Sequence, residues 1–101
     1  MHGLLRTYAT RFVRRQILLG MGQTGKAVLE TEDLLLEMAM SRLRVKLLEM
    51  GDPLEEDDLV AIIRQEAIML ARVYEDDSEE CEKLQERIRT LPGDCILPRV
   101  Q

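Results

Sequence analysis

The sequence predicts an all-α protein: an antiparallel helical hairpin with an N-terminal amphipathic basic helix, assembling into a helical bundle. Three observations carry this. Apolar residues recur at spacings of three and four along nearly the whole chain, the period of a helix face. There is no Asn, and there are only three Pro and six Gly, so turn formers are few and grouped, as long helices with short links require. With no Trp, one Phe and two Tyr, the core has to be aliphatic, and Leu, Met and Ala are strong helix formers.

The 101 residues suit a single domain, divided into a basic helix with a glycine-rich loop (1–26), a helical hairpin (27–91) and a tail (92–101). Segment 4–19 carries Leu4, Leu5, Tyr8, Phe12, Val13 and Ile17 at helical spacing, with Arg6, Arg11, Arg14 and Arg15 mostly off that stripe. It reads as an amphipathic basic helix. Three glycines in GMGQTGK, Gly20 to Lys26, end it. From Ala27 to Met50, the residues Leu36, Met40, Leu43, Leu47 and Met50 alternate in steps of four and three, a seam suited to helix packing. Leu29, Leu35 and Ala39 widen it, which predicts contact with more than one neighbour. Gly51 can adopt the left-handed conformation past a helix end, and Pro53 cannot continue the helix.

Asp52 or Glu55 can cap the next helix, and Glu55 to Asp58 place four acids near its positive end. Leu59, Ile63, Ala67, Leu70 and Tyr74 then form one stripe. The short Gly-Asp-Pro link predicts antiparallel neighbours. Residues 75–80 (EDDSEE) can open a new helix capped by Ser78 or Asp77. Yet the seam continues through Tyr74, Asp77, Cys81, Leu84, Ile88 and Leu91, so one helix over 54–91 is expected, with Asp77 its weak point. Leu91-Pro92-Gly93 ends it. The tail either folds back through Ile96 and Leu97 or lends them to a partner.

Charge is unevenly spread. Residues 1–29 carry net +5 and no acid, and residues 30–101 carry net −10, within an overall −5. A basic segment on an acidic body points to a local partner of its own, or to pairing with that body. Arg6, Arg11, Arg14, Arg15 and Lys26 are the candidate nucleic-acid or anion ligands. The same segment also has the basic, amphipathic character of a membrane-surface helix or a transit peptide. No apolar run approaches the roughly 20 residues that span a bilayer.

Two nucleotide motifs overlap in one loop. Gly20-Met21-Gly22-Gln23-Thr24-Gly25 fits G-x-G-x-x-G, and Gly20 to Lys26 fits G-x-x-x-x-G-K. In both, glycine lets backbone amides approach phosphate oxygens. The stretch resembles the phosphate-binding turn of dinucleotide-binding domains and that of P-loop nucleotidases. It departs from the latter at Ala27, where Ser or Thr would hold magnesium. Strands to frame either motif are not evident, so a glycine hinge between helices is the main expectation.

Catalytic and metal chemistry find little support. His2 is the only histidine, and Ser41 and Ser78 are the only serines, so no Ser-His-Asp arrangement is available. The acids at 55–58 and 75–80 lie largely opposite the apolar stripe, so no metal or cofactor is expected. Cys81 and Cys95 read as reduced thiols of a cytoplasmic protein, with a bridge from helix to tail as the alternative.

The stripes are broader than one hairpin can cover. That predicts a homo-oligomer or a complex with another helical protein, with Leu36, Met40, Leu43, Leu47, Leu59, Ile63, Leu70 and Tyr74 as the interaction face. The expected function is a non-enzymatic helical interaction protein: an adaptor, assembly factor or regulatory subunit. The alternatives are a nucleic-acid-binding regulator or packaging factor acting through residues 1–26, and a nucleotide- or anion-binding enzyme using the Gly20–Lys26 loop.

Overall fold

Five helices follow one another, with no strand among the described residues: α1 (His2–Gly20), α2 (Lys26–Glu49), α3 (Glu56–Tyr74), α4 (Ser78–Thr90) and α5 (Gly93–Ile96). The computed structural model describes residues 2–22, 24–51 and 54–98. The expected roles of Asp52 and Pro53 in the second turn lie outside these residues.

The chain forms an all-α bundle, but the basic helix is its centre. Leu5, Tyr8, Ala9, Phe12 and Val13 of α1 are all buried, and α1 packs against both α2 and α3. The hairpin of α2 and α3 was expected to hold that place. The only Phe and one of the two Tyr lie on the α1 stripe, and aromatic rings bury more area than any aliphatic side chain. Placing that stripe between two helices removes both rings from water. Against it lie Ala39, Leu43 and Leu47 of α2 and Leu59, Ile63, Ala67, Leu70 and Ala71 of α3. On its other side α3 packs against α4 and α5, which contribute Leu84, Ile88 and Ile96.

The turns follow their glycines. Gly22 (φ 69°) and Gly51 (φ 75°) both adopt the left-handed conformation that costs other residues about 1–2 kcal/mol. After α1, the Thr24 hydroxyl donates to the Leu18 carbonyl at 2.8 Å, satisfying one free acceptor of the helix end. After α2, Gly51 N–H donates to the Leu48 carbonyl at 3.1 Å.

The expected single helix over 54–91 is two helices, broken at residues 75–77. Asp77 is extended (φ −76°, ψ 121°), and its carboxylate accepts from the amides of Glu79 and Glu80 at 2.8 and 3.2 Å. The acids of 75–80 explain the break. In the middle of one continuous helix they would gain nothing from its dipole; at the positive start of α4 they are stabilised. The far end of α4 is held by Arg64 of α3. Its Nη1 donates to the carbonyls of Ile88, Arg89 and Leu91 at 2.7, 3.0 and 2.8 Å, capping three otherwise free acceptors with a cation.

The tail folds back. Ile96 and Leu97 are buried, and the Tyr8 hydroxyl donates to the Ile96 carbonyl at 2.8 Å. Burial pushes the Tyr8 hydroxyl up to a pKa of about 12, against a smaller lowering by Arg44 and Arg15.

Candidate interaction faces

The expected interaction face turns inward. Leu43, Leu47, Leu59, Ile63 and Leu70 are buried, and Leu36 and Met40 are partly buried against the same core. Only Tyr74, 45% exposed, stays at the surface. The physical reason is α1: its stripe covers the seams of α2 and α3 that would otherwise face a partner.

A different face of α2 remains uncovered. Leu34, Met38, Val45 and Leu48 are 58%, 47%, 54% and 74% exposed. With Ala27, Thr31 and Ser41, also exposed, they advance in alternating steps of four and three. No charged residue interrupts them from Ala27 to Leu48, a length of about 32 Å at 1.5 Å per residue. This strip lies opposite Ala39, Leu43 and Leu47, so α2 is apolar on two faces. A surface helix of a globular protein ordinarily has one apolar stripe and a polar back. The Thr31 hydroxyl is already satisfied by the Ala27 carbonyl at 2.9 Å, so covering it would strand no donor. Beside the strip, a groove of about 410 Å³ runs between Leu4 of α1 and the stretch from Ser41 to Glu49. On α3, Ile62, Met69 and Val73 are exposed too, but Glu66 and Gln65 interrupt them.

The expected anion ligands do not form one cluster. Arg15 pairs with Asp33 of α2 and is thereby committed to holding α1 on α2. Lys26 is exposed and reaches Glu30 at 3.9 Å, one turn along its own helix. Arg6 and Arg14 are exposed and Arg11 is half-buried on the outer side of α1. These three have no ion pair among the described residues.

The glycine loop joins two helices and not a strand to a helix. The setting that gives both phosphate motifs their geometry is therefore missing among the described residues. A cleft of about 400 Å³ opens beside the loop, lined by Gln16, Gly20, Met21, Glu80, Lys83 and Arg87. It adjoins the C-terminal end of α1, whose carbonyls favour cations over phosphate. Lys83 is balanced by Glu79 and Glu80 at 3.4 and 3.5 Å. Among the described residues, no three of His, Cys, Asp and Glu are grouped to hold a metal ion. Cys81 is buried and Cys95 exposed, and both are free.

Periodicity alone could not rank two seams on one helix, because α2 reads as amphipathic in either direction. The missed signal was the Leu34, Met38, Val45, Leu48 series, in register with the heptad but one face away. Also missed were three buried polar atoms, Oε1 of Gln16, Oε2 of Glu32 and Nε of Arg44, which have no hydrogen-bond partner among the described residues. Among the described residues, no helix is long and apolar enough to cross a membrane. Comparison with protein-family models, with curated proteins and with solved structures finds no match.

Proposed function

We propose that this protein is a helical protein-binding module, an adaptor or assembly subunit, that docks a partner helix along the outer face of α2. The observation that carries the reading is the second stripe of α2, uncharged from Ala27 to Leu48, with Leu34, Met38, Val45 and Leu48 exposed and uncovered among the described residues. Contiguous exposed apolar strips of this kind mark protein interaction sites, and a helix with anchors at i, i+4 and i+7 is a common docking element. The two free cysteines support a reducing, cytoplasmic setting for it. The test is a photo-crosslinking residue at Met38 in cells. A crosslinked protein product is expected there and not at Glu66 on α3. Absence of any protein product at Met38 overturns the reading.

A second reading rests on Arg6, Arg11 and Arg14, an acid-free outer face of α1 without ion pairs among the described residues. Nucleic acid is the polyanion such a face would meet. Binding should weaken steeply with salt and fall at least about tenfold when all three become Ala, since each phosphate contact releases a counterion. A gel-shift titration with mixed-sequence RNA and DNA checks it; no salt-sensitive binding removes the reading.

A further inference from the structure

We infer that the occupant of the α2 outer face is a second copy of the chain, aligned parallel as a two-stranded coiled coil. This rests on the reading of that face as a docking surface and names its partner. The heptad positions are occupied in a way that selects this arrangement. With Thr31, Met38 and Val45 at a, the d positions hold Leu34, Ser41 and Leu48. Val45 at a with Leu34 and Leu48 at d is the kind of occupancy that favours two strands in a parallel coiled coil. All six are exposed.

The flanking charges give the direction. Glu37 precedes Met38, at g, and Arg42 follows Ser41, at e. Both are exposed, they lie on opposite sides of the strip, and neither has an ion pair among the described residues. In a parallel pair, g of one helix meets e of the other five residues on. Glu37 then faces Arg42 of the partner subunit, and by symmetry the contact occurs twice. An antiparallel pair sets g against g. In the register that keeps the large residues in contact, Glu37 would need Arg44 of the partner subunit. Arg44 is already bound to Glu56 at 3.0 Å and to the Pro98 carbonyl at 2.9 Å. Helix α1 covers the opposite side of α2 and adjoins the strip at Leu4, which lines the groove beside Ser41, Arg42 and Val45.

The experiment is sedimentation of the full chain with paired charge variants. Wild type is expected to be a dimer at micromolar concentration. Leu34→Glu with Val45→Glu should give a monomer of unchanged helical circular dichroism, because both sites are exposed. Glu37→Arg alone and Arg42→Glu alone should each weaken the dimer about tenfold, through two lost pairs and two new repulsions. The double variant carrying both should recover wild-type affinity. An equimolar mixture of the two single variants should form heterodimers, in which both pairs are restored. In a Cys95→Ser background, Leu48→Cys should oxidise to a covalent dimer, as only parallel chains bring that helix end to itself. A monomeric wild type, a dimer insensitive to the Leu34 and Val45 changes, or single charge variants that the swap does not rescue would each overturn the inference. The photo-crosslink at Met38 separates the two levels. A product with itself supports both; a product with a different protein keeps the docking function and overturns the homodimer; no product overturns both.

Discussion

Tyr8 is the residue on which most of the fold converges. Its ring is fully buried on the central helix, and its hydroxyl ties α1 to the tail through Ile96. Tyr8→Phe leaves that carbonyl without its donor and should cost about 1 kcal/mol at neutral pH, measured by urea unfolding. The same site sets an alkaline limit. The fold holds the neutral phenol, and burial raises its pKa from 10 to about 12. Its contribution is therefore complete below pH 10 and lost as pH rises towards 12. In a Tyr74→Phe background, phenolate absorbance should appear together with unfolding, and Tyr8→Phe should flatten the stability profile over that range. Phenolate forming while the helical signal is intact would contradict this.

At the scale of elements, local rules explain where helices stop, and packing explains what they do. Gly22, Gly51 and Asp77 mark three of the helix boundaries, the two glycines for a reason visible in the sequence. Asp77→Ala should lose about 1 kcal/mol as an N-cap is removed. Amide exchange at Glu79 and Glu80 should quicken, with no gain in helix content. A gain would mean that α3 and α4 fuse once the cap is gone. The basic helix is the other case. A projecting arm would tolerate truncation of Phe12, whereas a central helix would not. Phe12→Ala should cost about 3–5 kcal/mol, a large part of the 5–15 typical of a small domain, and chemical unfolding measures it. Arg15 belongs to this element as a strut to Asp33 and is unavailable to a polyanion, unlike Arg6 and Arg14.

For the whole molecule, the deciding feature is that α2 is apolar on two sides. Its inner side is covered by α1, and its outer side by nothing among the described residues. If a second copy covers it, folding is linked to association. The melting temperature of wild type should then rise with protein concentration, and that of the Leu34→Glu, Val45→Glu variant should not. A calorimetric scan at several concentrations reads this directly. Equal, constant melting temperatures would leave the strip without a role in stability.

The sequence by itself determined the helical class, the glycine punctuation and the broad α2 stripe, whereas the break at Asp77, which the continuing apolar seam concealed, emerged only in the structure. The first three follow from backbone conformational preference and apolar period, which act over a few neighbouring residues. Only the tertiary structure decided which stripe meets which. Leu36, Met40, Leu43, Leu47, Leu59, Ile63 and Leu70 have the spacing of an interface in the sequence, and α1 makes them core. Leu34, Met38, Val45 and Leu48 have the same spacing and remain outside. A helical period states that a face is apolar and not what covers it. That choice depends on how two aromatic rings, three packed helices and a folded-back tail share the available contacts, a property of the assembled chain and of no single segment.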